Sequence, residues 1–102
     1  MKYLGLDTPS LLINKDIMID NLKSMQSFAD RNMVSLRPHT KTHKMPVLAL
    51  LQVELGADGI TVAKVEEAEV MASRGLSNIF IANEIVGVEK LERINELSKN
   101  IN

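Results

Sequence analysis

Apolar residues recur along this chain in two alternating rhythms. Met18, Leu22, Met25 and Ala29 repeat at helical spacing and mark one face of a helix that Asp16 can cap and that runs to about Arg31. Leu11-Leu12-Ile13, just after Thr8-Pro9, is a short continuous run and predicts a strand. Val34 to about Lys41 predicts the next strand. Pro46 suits the first turn of a helix, where its missing amide hydrogen would have no partner anyway. Leu48, Leu51 and Leu55 line that helix's buried face, and Gly56 fits the position after its end. The cycle then repeats. Gly59 to Ala63 is a strand; Val65, Ala68 and Ala72 form a helical stripe that Gly75 closes. Asn78 to Ala82 is a strand again, and Val88, Leu91, Ile94, Leu97 and Ile101 mark a final helix.

The strand–helix unit therefore begins three times, at Val34, Gly59 and Asn78, preceded by a strand and a helix. The fold class is α/β with parallel strands. A (β/α)8 barrel needs eight such units and typically ~250 residues. The chain has 102 residues, so the expectation is the opening three-eighths of a barrel: one incomplete domain over 1–102. A complete three-stranded open domain is the competing expectation, and such domains are rare at this size.

Composition narrows the partners. Apolar residues make up 45% and charged ones 25%, with a net charge of −1, so no global field draws in nucleic acid or an anionic membrane. One Tyr, two Phe and no Trp leave no stacking platform for single-stranded nucleic acid and no aromatic hot spot. The absence of cysteine excludes a disulfide framework and thiolate metal sites. The longest apolar stretch, Pro46 to Leu51, is too short to span a bilayer. The N-terminal MKYLGLDTPS lacks the apolar core of a secretion signal, so a cytoplasmic location is expected.

Against this ordinary background, residues 37–44 stand out as RPHTKTHK. Five cationic or protonatable side chains fall in eight positions, where a strand hands over to a helix and α/β folds keep their chemistry. Strand alternation puts Ser35, Arg37, His39 and Lys41 on one face, which suits the floor of a pocket for an anionic cofactor. Lysine attacks a carbonyl only as the neutral amine, and nearby cations favour that form. Lys41 and Lys44 both qualify by pattern; strand geometry favours Lys41. The same residues also fit a solvated loop or a simple anion site. His39 and His43 lie at i, i+4, but Pro38 argues against the helix a metal pair would need, so no metal ligand is assigned. Lys64, Asn83 and Glu84 follow strands and are expected at the pocket's rim. Glu66, Glu67 and Glu69 read as a solvated, dipole-favoured helix start, and Met45 as packing.

RPHTKTHK, together with DTPSLLIN at 7–14, GADGITVAKVEEAEVMASRG at 56–75 and IFIANEIVG at 79–87, resembles the D-threonine aldolase and D-serine dehydratase family. That family has the alanine-racemase-like barrel fold. The octet is distinctive; the other stretches are supporting patterns. The resemblance implies that Lys41 is covalently linked to pyridoxal 5'-phosphate (PLP), with His39 and Arg37 beside the cofactor. It implies a lyase acting on a D-amino acid, with retro-aldol cleavage of D-threonine to glycine and acetaldehyde as the first expectation. D-serine dehydration to pyruvate and ammonia is the second, and a non-catalytic PLP-homeostasis protein the third. It also implies a divalent metal with ligands outside this chain, and it allows a homodimer of the longer protein.

Overall fold

The computed structural model describes residues 3–102. Helix α1 (Lys15–Arg31) leads into an extended segment at 34–39 and a single 3-10 turn at Thr40–Thr42. Helix α2 (Pro46–Glu54), strand β1 (Ile60–Val62), α3 (Val65–Ser73), β2 (Ile79–Ile81) and α4 (Val88–Leu97) follow. The two strands pair in parallel, Ile60 beside Ile79 and Val62 beside Ile81. The segment at 34–39 lies along the other side of β1. The Asp58 amide donates to Leu36 O at 2.9 Å and the Thr61 amide to Pro38 O at 2.8 Å. Sequential parallel strands, each followed by a helix, are the arrangement expected of the opening of a barrel.

Alternation along the strands separates two faces. Ile60 and Val62 are fully buried against Ala49 of α2 and Ala68 and Met71 of α3, with Ile79, Ile81 and Leu97 packed around them. All the helices that touch the sheet's core lie on this side. The opposite face carries Thr61, which is buried and bonded to Arg37 O and Thr40, and Phe80, which is 56% exposed; no α-helix among the described residues covers Phe80.

Three expected elements differ. Leu11-Leu12-Ile13 is not a strand: it is irregular and exposed, because an apolar triplet with no neighbour to pair with has no ladder to join. The cap of α1 is Asn14, not Asp16; the Asn14 side chain accepts the Ile17 amide. The strand expected from Val34 to Lys41 stops short. It touches β1 through one bridge, His39 to Thr61, and turns at Thr40. Pro38 has no amide to add to a ladder. Lys41 therefore sits in the turn, and alternation no longer puts it on the face of Arg37 and His39. The helix faces are also shifted: Ala49, not Leu48, Leu51 or Leu55, is the fully buried residue of α2.

One tight knot fixes the N-terminal end of the sheet. Arg37 Nη1 donates to Asn78 Oδ1 at 2.8 Å and to Asn78 O at 3.4 Å. Asn78 Nδ2 donates to Asp58 O at 2.5 Å. The guanidinium passes over Gly59 to do so. A β-carbon at Gly59 would stand 2.5 Å from Arg37 Nη1 and from Asn78 O. Gly59→Ala is therefore expected to destabilise the full-length protein by about 1–3 kcal/mol through overpacking. Denaturant unfolding measures this, and a neutral substitution would show that the knot opens without loss.

Candidate active site

The polar side chains of the octet are almost all engaged, some within its own turn and some with neighbouring elements. Arg37 is held by Asn78 at the far end of the sheet. His39 Nδ1 accepts the Lys41 amide at 3.3 Å. Thr40, buried, donates from Oγ1 to Thr61 O at 3.2 Å and so pins the turn to β1. Thr42 Oγ1 donates to His39 O at 3.4 Å. His43 contacts the Met45 amide and Gln52 of α2. Lys44 Nζ lies 3.5 Å from Glu67 Oε1. Lys41 is the exception. Its ammonium has no hydrogen-bond or ion-pair partner among the described residues, and the side chain is exposed just beyond the C-terminal end of the extended segment. Lys41 is thus the one cation of the octet whose charged group has no partner among the described residues.

Beside this turn, the loops after the extended segment, β1 and β2 enclose a cavity of about 600 Å³. Thr40, Lys44, Lys64, Glu67, Asn83 and Glu84 line it. Lys64, Asn83 and Glu84 line this cavity together with Val70 of α3 and Lys90 of α4. Arg37, His39 and Lys41 do not line it. Arg37 is not brought near Lys41: its contacts are with Asn78, and Leu36 and Pro38 on either side of it face α1 and α2.

Glu67 is the residue that strand and helix patterns miss. Its side chain is 13% exposed, far from the solvated face expected of it. Oε2 accepts the Ala63 amide at 2.7 Å while Oε1 meets Lys44. Burial works against its charge, but the Ala63 amide and the Lys44 cation outweigh it and hold the carboxyl below the usual carboxylate range. An acidic residue three positions into α3 carries that signal, but without Ser or Thr at the cap the box is incomplete. Glu66 and Glu69 are not merely solvated either. Both pair with Arg93 and join α3 to α4. The Arg93 hydrogen bond leads in lowering the Glu69 carboxyl, and Glu66's own backbone amide leads for Glu66.

No group of three or more His, Cys, Asp and Glu side chains able to hold a metal occurs among the described residues. His39 and His43 turn to different partners. No described helix is long and apolar enough to cross a membrane.

Known proteins share this arrangement. The profile of the family described as alanine racemase, N-terminal domain, matches residues 13–101. The D-threonine aldolase of Arthrobacter sp is 46% identical over 93 residues, 91% of this chain and 24% of that protein. The D-threo-3-hydroxyaspartate dehydratase of Delftia sp. (strain HT23) is 43% identical over 79 residues, 78% of this chain and 21% of that protein. The crystal structure of D-threonine aldolase from Filomicrobium marinum superposes with a TM-score of 0.94 at 43% identity, covering 95% of this chain and 26% of that one. The chain spans about a quarter of the length of the curated relatives it matches. With its parallel strands, its helices on one face and a match over nearly its whole length, the chain belongs to the alanine racemase N-terminal domain family.

Proposed function

We propose that this segment supplies the cofactor lysine of a PLP-dependent lyase acting on a β-hydroxy-D-amino acid, and that Lys41 is that lysine. The observation that carries the reading is the free amine of Lys41 in an octet whose other polar side chains are committed. Lys44, the competitor, is paired with Glu67. The donor set fits the cofactor: an uncommitted amine for its aldehyde, at the end of the sheet where barrel sites lie. PLP, when bound, supplies the electron sink for bond cleavage at Cα. The chain's own residues do the rest of what is assigned here. Lys41 holds the cofactor, His39 shapes the backbone on which Lys41 stands, and Thr40 fixes that backbone to β1. Arg37, expected beside the cofactor, has its guanidinium bonded to Asn78 and so contributes by holding that end of the sheet.

The first reaction expected is cleavage of the Cα–Cβ bond of D-threonine, giving glycine and acetaldehyde; the Arthrobacter and Filomicrobium relatives are D-threonine aldolases. Loss of water from the same substrate class is the second, because the Delftia relative is a dehydratase. The divalent metal that the resemblance implies would take its ligands from outside this chain; the described residues form no cluster of three or more His, Cys, Asp and Glu side chains.

Borohydride reduction of the PLP-loaded full-length protein, followed by peptide mapping, is expected to place the pyridoxyl group on Lys41. A label on Lys44 would overturn the assignment. Glycine and acetaldehyde released from D-threonine mark the aldolase; a 2-oxo acid and ammonia mark the dehydratase.

A further inference from the structure

His43 is bonded through both ring nitrogens. Nδ1 accepts the Met45 amide at 2.9 Å, and Nε2 lies 3.3 Å from Gln52 Oε1. The amide can only donate, so Nδ1 is bare, and the neutral ring then carries its proton on Nε2. A protonated Nε2 is what a carbonyl oxygen on Gln52 accepts from. Both contacts require the same tautomer.

Between them lies the sharpest bend of the octet. Lys44 has φ +53°, in the left-handed region that a side chain disfavours, so neighbouring contacts must hold it there. Its amide reaches back to Thr40 O at 2.7 Å. On the far side, Met45 caps α2 without any side-chain hydrogen bond, and Pro46 has no amide. The ring of His43 is the partner of the Met45 amide, and it ties the same turn to Gln52 in the later part of α2. Gln52 lines the groove with Leu36, Pro38 and Leu55, so the ring faces the helix layer and not the open face of the sheet. That direction leaves it no part as an acid or base on substrate. Its two occupied nitrogens leave it no part as a metal ligand.

We propose that His43 is the positioning residue of the cofactor turn: as the Nε2–H tautomer it locks the bend at Lys44 and fastens the turn to α2, which sets where the Lys41 amine stands. The proposal rests on the reading of Lys41 as the cofactor lysine.

Two substitutions in the PLP-loaded holoenzyme separate this role from others. His43→Phe keeps the ring's bulk and loses both hydrogen bonds. His43→Asn keeps an acceptor at the same distance from Cβ as Nδ1. The Phe variant is expected to raise the PLP dissociation constant about tenfold or more. The Asn variant is expected to recover most of that loss. Imidazole nitrogen resonances of the wild type are expected to report Nε2 protonated and Nδ1 bare, unchanged by substrate. A Phe variant that binds PLP normally, an Asn variant as impaired as the Phe one, or an Nδ1–H tautomer would overturn the proposal. Should His43→Phe fail to fold, Gln52→Leu replaces it: a weaker PLP affinity is expected, and an unchanged one refutes the link to α2. A wild-type borohydride label away from Lys41 sinks the functional reading, while the nitrogen spectrum still judges the tautomer and the bend.

Discussion

Lys41→Ala is expected to abolish covalent retention of PLP in the full-length protein and to lower lyase turnover on the order of 10⁴-fold or more, the scale seen when an enzyme loses its reacting group. The size of the effect follows from the absence of a substitute. Lys44 is the nearest amine in sequence, but its side chain runs to Glu67 and lines the neighbouring cavity. Lys64 also lines that cavity, beyond β1. Lys44 stands in the left-handed bend after the turn that His39, Thr40 and Thr42 build, and Lys64 stands on a different loop, at the cap of α3. The loss should be chemical, not structural, since the Lys41 ammonium bonds to nothing among the described residues. Added methylamine is therefore expected to restore part of the turnover, and the thermal midpoint should stay within a few degrees of wild type. A variant that keeps the bound-cofactor absorbance and its activity would remove Lys41 from the reaction.

The sequence made some of this legible and hid the rest for physical reasons. Helices declare themselves through periodicity, and α1 to α4 fall where Met18 to Ala29, Pro46, Val65 to Ala72 and Val88 to Leu97 imply. Strands depend on partners. Ile60 to Val62 and Ile79 to Ile81 find each other, whereas Leu11 to Ile13, equally apolar, finds none. The octet was visible as a concentration of charge, but the division of labour inside it was not. Sequence spacing put Arg37 beside Lys41. In the fold its guanidinium spans the sheet to Asn78, a partner 41 positions away that no local pattern reveals. Gly59 reads as an ordinary strand start until that crossing shows why no larger residue fits. The two histidines, for which the sequence assigned no metal role, are acceptors for backbone amides two residues on.

A polypeptide of these 102 residues alone is expected to aggregate, self-associate or remain molten. Among the described residues, five buried apolar side chains are larger than alanine: Ile60, Val62, Val65, Met71 and Leu76. Nineteen large apolar side chains stand exposed, with Leu11 at 99%, Met33 at 93% and Val86 at 82%. The radius of gyration is 16.0 Å, against about 13 Å for a compact chain of this length. The excess matches a slab of 52 × 40 × 21 Å with helices on one side and Phe80 open on the other. Parallel strands are stable when both faces are covered, and here one is not. Ordering each residue costs about 1–2 kcal/mol of conformational entropy, and so small a core offsets little of it. Exposed apolar surface of this extent and unpaired strand edges both favour contact with other copies. Sedimentation and thermal unfolding of the purified chain measure the outcome. A monomer with one sharp, cooperative transition and well-dispersed amide resonances would show that the single helix-covered face is enough to hold this fold.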